Sequence, residues 1–217
     1  MGHKALLFDM DGVISDSQWL MAATEQEICR RNKLSVPESE WQHFKGKSSR
    51  YIFARILEKY GNGHRCNAVE LSRQKHDLYI ERACQQLTPI TGAVEFVKFA
   101  RTRYGALGLT TSNHRSCADV TLKSFKLQGY FDTVVVQEDI PEGMHKPHPE
   151  PYKVTAERLG VPTDRCCVIE DTANGIMSGV LAGCTVIGIT TSYERKVLKA
   201  AGAHYVVSSF MDLASLL

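Results

Sequence analysis

The stretch KALLFDMDGVISDS, residues 4–17, decides the fold. Its apolar run, Ala5-Leu6-Leu7-Phe8, reads as a buried strand that delivers Asp9 and Asp11 straight off its end, with Asp16 a few residues on. Carboxylates crowded at the end of a buried strand repel one another and lose hydration. Such a cluster persists where a cation is bound, where the acids do chemistry, or both. The two-residue spacing of Asp9 and Asp11 would, in an extended backbone, point both side chains to one side. Gly12 permits the sharp turn that follows.

Five more short apolar runs recur along the chain: ALGLT (106–110), TVVVQ (133–137), CCVIE (166–170), TVIGIT (185–190) and YVVSS (205–209). They are nearly continuous rather than alternating, which marks strands covered on both faces. Helical segments lie between them, among them TGAVEFVKFARTR, SCADVTLKSFK, PEPYKVTAERLG and TANGIMSGVLAG, the last two ending on glycine. This alternation predicts an α/β fold: a Rossmann-like three-layer α/β/α core around a parallel sheet.

One block breaks the alternation. From Ser17 to Gln86 no strand is legible; QWLMAATEQEICRR, PESEWQHF, SRYIFARILEKY and AVELSRQKHDLYIERACQQ read as four amphipathic helices. About 70 residues are too many for a strand-to-helix loop. The expected organisation is therefore a core of residues 1–16 and 87–217 and an all-helical cap domain of residues 17–86, inserted after the first strand and expected over its acidic end. The chain re-enters the core near LTPITG, where Thr91 reads as a helix cap.

In a parallel sheet, ligands sit beyond the carboxyl ends of the strands. Asp9 and Asp11 follow the first strand, and Thr111, Ser112 and Asn113 the second; Lys146 lies in the loop EDIPEGMHKPHPE beyond the third, and Glu170 and Asp171 close the fourth. An oxygen-only donor set suits Mg²⁺ and argues against zinc or copper, which draw on Cys or His. A carboxylate beside such a cation can attack phosphorus. Uncatalysed phosphate-monoester hydrolysis calls for acceleration of up to ~10²¹-fold. In this reading Asp9 attacks, and Asp11 first protonates the leaving oxygen, then deprotonates the water that releases phosphate. Thr111 and Lys146 hold the remaining phosphoryl oxygens.

Composition bounds the partners. A net charge of +2 over 217 residues, with basic residues scattered, gives no footprint for nucleic acid. No apolar run nears the roughly 18 residues of a membrane span, and no signal segment is legible. The seven cysteines show no metal-ligand spacing and read as thiols in a reducing compartment. A cytoplasmic monomer or weak homodimer acting on a small phosphorylated metabolite is expected. Gly46-Lys47-Ser48 in FKGKSSR (44–50) is not a P-loop, because Trp41 stands where its first glycine belongs and no strand precedes it.

FDMDGVISDS, LTTSN, HKPHPEPY and VIEDTANGIMSGVLAG resemble, in order, the four motifs of the haloacid dehalogenase superfamily of hydrolases. The helical insertion is similar to the cap of the branch that contains β-phosphoglucomutase and small-metabolite phosphatases. The resemblance implies Mg²⁺ held by Asp9, Asp171, the backbone carbonyl of Asp11 and, as a further candidate, Glu170. It implies a cap whose movement admits substrate and expels water. It also makes 44–50 the cap loop that reaches toward substrate, with Lys45, Lys47, Ser49 and Arg50 as candidate contacts and Ser112 and Asn113 beside the phosphoryl group. A phosphatase is the first expectation and a phosphomutase the second. Met21 stands where the mutases carry histidine, and Ser49 where their cap-loop arginine belongs. Dehalogenation is disfavoured by the presence of Asp11, and phosphonate hydrolysis by the poor context of Lys45 and Lys47. A receiver-type phosphoacceptor domain is disfavoured by its shorter length, about 120 residues.

Overall fold

The computed structural model describes residues 2–44, 48–61, 63 and 65–217. The chain divides into two compact units, residues 1–16 with 87–217, and residues 17–86. In chain order the first unit opens with β1 (Ala5–Asp9) and β2 (Ser15–Asp16). The second holds α1 (Gln18–Arg31), α2 (Glu38–Trp41), α3 (Ser49–Tyr60) and α4 (Ala68–Gln86). The first then resumes with β3 (Thr88–Pro89), α5 (Ala93–Arg103), β4 (Ala106–Thr110), α6 (Arg115–Ser124), β5 (Thr133–Val135) and α7 (Glu150–Arg158). It ends with β6 (Cys166–Glu170), α8 (Ala173–Leu181), β7 (Thr185–Ile189), α9 (Arg195–Ala200), β8 (Tyr205–Val207) and α10 (Phe210–Leu216).

The main sheet runs β5-β4-β1-β6-β7-β8, every pair parallel. The strand order reverses at β1, which lies between β4 and β6, so the carboxyl end of β1 is the crevice where such folds bind ligands. Register brings Asp9 beside Thr110 and Phe8 beside Ile169, so the ends of β4 and β6 flank that of β1.

Successive β1 side chains face opposite layers. Leu7 packs with Tyr152, Ile176 and Leu198 from α7, α8 and α9. Phe8 meets Phe96 of α5 edge-on, with ring centroids 6.1 Å apart, and Phe96 in turn meets Phe210 of α10. Ala5, Leu6, Leu7 and Phe8 are fully buried. Burial of each of the three larger side chains contributes about 1.5–3 kcal/mol.

The β2–β3 pair is antiparallel, Ser15 opposite Pro89 and Asp16 opposite Thr88, which ties Asp16 into a short ladder. Thr91 does not cap α5: that place is taken by Gly92, whose φ of +82° an L side chain rarely adopts.

The helical unit has a core of its own, in which Ile28 and Cys29 of α1 pack with Phe53 and Ile56 of α3 and Leu71 and Leu78 of α4. PESEWQHF is only partly regular, a four-residue α2 followed by a 3₁₀ turn at Gln42–Phe44. All seven cysteines are free thiols; Cys66 is half-buried, Cys84 is exposed on α4 and the rest are buried.

Candidate active site

β1 ends at Asp9, so Asp11 stands on the turn beyond it and not on the strand. The turn is held by Gly12 N–H donating to the Ser15 carbonyl (2.7 Å) and by the Ile14 and Ser15 N–H groups donating to the Met10 carbonyl. What aims Asp11 is not extended spacing but two donors to its Oδ2: the Asn113 amide at 2.7 Å and the Thr111 hydroxyl at 3.3 Å. Thr111 is in turn steadied by the Asn113 N–H, which donates to its Oγ1 at 3.1 Å. Ser112 lies exposed in the same turn.

Lys146 reaches the site from the 138–150 loop. Its Nζ donates to Asp9 Oδ1 (2.5 Å), to Glu170 Oε1 (2.8 Å) and, weakly, to the Thr110 carbonyl (3.4 Å). It also lies 4.8 Å from the centre of the Tyr152 ring. Burial alone would lower the Lys146 pKa, but Asp9 and Glu170 raise it well above the usual lysine range, so the ammonium stays charged.

Glu170 and Asp171 are neighbours with opposite surroundings. Glu170 Oε1 accepts from Lys146 and from the Tyr152 hydroxyl (3.0 Å), and its Oε2 accepts from the Asp171 and Thr172 N–H groups and the Thr172 hydroxyl (2.9, 3.0 and 3.0 Å). These donors lie at the N-terminus of α8, which Thr172 caps by accepting from Gly175 N–H. A Cβ on Gly175 would lie 1.6 Å from Glu170 Oε1, so glycine there makes room for the carboxylate. Burial opposes ionisation of Glu170, yet Lys146 and the hydrogen bonds hold its pKa below the ordinary range. Asp171, fully buried, accepts from the Ser192 hydroxyl on Oδ2, while its Oδ1 has no hydrogen-bond partner among the described residues.

Carboxylate oxygens of Asp9, Glu170 and Asp171 lie within 4.8 Å of one another. Burial pushes the carboxyl groups of Asp9 and Asp171 well above their ordinary range, Lys146 pulls both back, and the neighbouring acids push them further up. Were all three ionised, these buried carboxylates would outnumber the one ammonium by two negative charges, and that is the cost their raised pKa values express. The site fits a divalent cation: the donors are all oxygen, and a buried carboxylate oxygen without a partner is what a ligand-ready position presents. Glu170 belongs to the cluster, but five donors already occupy its oxygens.

The substrate-contact candidates of the helical unit divide three ways. Ser49 opens α3 and donates to Glu25 Oε1 at 2.8 Å. Arg50 is exposed on the same helix. Lys45 and Lys47 lie outside the described residues.

Comparison with known proteins decides the family. Residues 6–189 match the haloacid dehalogenase-like hydrolases. The chain belongs to that family. This hydrolase is 25% identical to the validoxylamine A 7'-phosphate phosphatase of Streptomyces hygroscopicus subsp. limoneus, over 92% of this chain and 91% of the relative. It is 29% identical to a phosphorylated carbohydrates phosphatase of Thermotoga maritima, over 92% of each. In fold the hydrolase is similar to a putative β-phosphoglucomutase from Thermotoga maritima, with a TM-score of 0.82, 24% identity and 99% of each chain covered. No described helix is long and apolar enough to cross a membrane.

Three site residues escape a reading based on strand ends and motifs. Tyr152, inside the helix after Lys146, donates to Glu170 from a fully buried position. Thr191 and Ser192 lie just past β7, where Thr191 Oγ1 donates to the Gly12 carbonyl (2.5 Å) and Ser192 to Asp171. The available signal was positional: TVIGIT ends on a parallel strand like the others, so the hydroxyls after it belonged on the same rim.

Proposed function

We propose that this hydrolase is a Mg²⁺-dependent phosphatase of a small phosphorylated metabolite, a sugar phosphate by class, working through an aspartyl-phosphate on Asp9. The observation that carries this is the division of labour among the acids. Glu170 is sealed, its side chain 1% exposed, whereas Asp9 keeps 11% exposure while paired to Lys146. Asp11, two residues on, is aimed by Thr111 and Asn113. In this reading one acid attacks and the other moves a proton.

In this mechanism an Asp9 carboxylate oxygen forms a bond to phosphorus as the bond to the leaving oxygen breaks, and Asp11 gives that oxygen its proton. Water then loses a proton to Asp11 and attacks phosphorus, releasing phosphate and restoring the Asp9 carboxylate. Lys146 pulls against the burial that raises the Asp9 carboxyl pKa and orients that carboxylate, with Glu170 fixing the lysine from behind. The Thr111 hydroxyl and the 111–113 turn provide donors for phosphoryl oxygens. A divalent cation held by Asp9, Asp171 and the Asp11 carbonyl, with Glu170 adjacent, would supply neutralisation of the phosphoryl charge.

The helical unit is read as the cap that selects substrates. Seven free thiols support a reducing, cytoplasmic setting. A phosphomutase role is the weaker reading: besides Met21, Ser49 offers a hydroxyl already bonded to Glu25 where the mutases use arginine.

The test is phosphate release from a panel of phosphomonoesters, with Mg²⁺ or EDTA, by the wild type and Asp9→Asn. Release that disappears in EDTA and in the variant is expected, with Asp11→Asn slower by about 10²–10⁴-fold. Full activity in Asp9→Asn overturns the nucleophile assignment. Conversion of a hexose 1-phosphate without free phosphate replaces the phosphatase by the mutase.

A further inference from the structure

The loop after β7 grips the acid cluster at two points. Ser192 Oγ donates to Asp171 Oδ2, and Thr191 Oγ1 donates to the carbonyl of Gly12 in the turn that carries Asp11. The three elements meet without slack: a Cβ on Gly12 would lie 2.0 Å from Asp171 Oδ2 and 2.8 Å from Ser192 Oγ. Gly12, at φ +84°, thus serves more than the turn; its missing side chain seats the Ser192–Asp171 pair. With Oδ2 engaged, the Asp171 oxygen left without a partner among the described residues is Oδ1.

We propose that Ser192 is a positioning residue that fixes the Asp171 carboxylate so that Oδ1 is presented to the divalent cation, and that Thr191 locks the same loop to the Asp9–Asp11 turn. This rests on the cation-dependent reading of the site above. A carboxylate with both oxygens free rotates between several orientations, and a ligand must first be ordered before it can bind. A hydroxyl bond to one oxygen removes that freedom, and loss of such a partner weakens metal binding by about 10–100-fold. The loop thereby joins β1, β6 and β7 into one metal-end assembly, and Ser192 acts on catalysis only through Asp171.

The test is calorimetric titration of Mg²⁺ alone into the full chain, without substrate, for the wild type, Ser192→Ala, Ser192→Thr and Asp171→Asn, with thermal unfolding in EDTA alongside. Ser192→Ala is expected to raise the Mg²⁺ Kd by about 10–100-fold, while its EDTA melting temperature falls only by what one lost hydrogen bond to a buried carboxyl costs, as in Ser49→Ala. Ser192→Thr, which keeps the hydroxyl, is expected to recover most of the affinity. Wild-type affinity in Ser192→Ala, with binding lost in Asp171→Asn, overturns the positioning role and leaves the cation site standing. Failure of the wild type to bind Mg²⁺ overturns the cation reading and the positioning role together. If Ser192→Ala does not fold, Thr191→Val decides: weaker Mg²⁺ binding supports the clamp, and unchanged binding overturns it.

Discussion

Two buried acids, Glu25 in the helical unit and Asp171 in the sheet unit, meet the loss of water in different ways. Glu25 accepts from Ser49 and is opposed by the charge of buried Lys75, so the helical unit sets one acid against one cation within itself. Among the described residues Asp171 has a single hydroxyl on one oxygen and no partner on the other, while Lys146 is already shared by Asp9 and Glu170. Burial pushes the carboxyl pKa up in both places, but only in the sheet unit do further acids add to it. On the proposed reading the difference separates a structural buried charge, matched within the fold, from one that a bound cation would match.

The strongest way to break the comparison is to remove the sheet unit's own cation. Lys146→Ala leaves Asp9 and Glu170 buried without their shared partner. In EDTA it is expected to lower stability by about 3–5 kcal/mol, measured by urea unfolding, as well as abolishing turnover. A stable variant would mean that the acids are better hydrated than their burial implies.

Removing an acid acts in the other direction. Asp171→Asn relieves the surplus and is expected to raise stability in EDTA by about 0.5–2 kcal/mol while activity is lost. Its pH dependence carries the same sign. Asp9 and Asp171 have carboxyl groups raised above the ordinary range of about 4, so the folded chain holds protons that the unfolded chain releases. The stability they bring is full below the unfolded pKa and lost as pH rises through the folded one. Glu170 is held low and works oppositely, losing its contribution only as pH falls through its depressed folded value. In EDTA the melting temperature should therefore decline as pH rises above the carboxylate range, and Mg²⁺ should flatten the decline. A melting temperature in EDTA that climbs with pH would contradict the surplus.

Much of this contrast was legible in the residues, for a physical reason. Strands covered on both faces must be apolar throughout, so the runs at 5–8, 106–110 and 166–170 declared themselves and their polar ends became the candidate site. The amphipathic segments 18–31, 49–60 and 68–86 coincide with α1, α3 and α4 because each turns an apolar stripe to one shared core. The short β2–β3 ladder was hidden, since two residues a strand leave no periodicity, and Gly92 rather than Thr91 at the start of α5 depends on a positive φ. Glu170 and Asp171 read as one acidic pair, yet adjacent residues at a strand end point opposite ways, one to the helix terminus and one to Ser192. Ser192 itself is 21 residues from its partner, and a lone serine carries no pattern that announces such a bond.

The smallest effect tests the self-contained side of the comparison. If Ser49 chiefly serves Glu25, then Ser49→Ala leaves a buried carboxylate short of one donor. It should lower stability by about 1 kcal/mol and leave KM for the best phosphomonoester unchanged. Arg50, exposed one residue further along α3, has the opposite expectation: Arg50→Ala should raise KM, with stability within about 0.5 kcal/mol of wild type. The two neighbours are separated by what burial does to a polar group. A hydroxyl bonded to a buried acid is held by the fold, whereas an exposed guanidinium keeps its donors for an anion from solvent. A KM that rises in Ser49→Ala with stability intact would show that its hydroxyl leaves Glu25 to meet the substrate, and the helical unit would then share the incompleteness seen in the sheet.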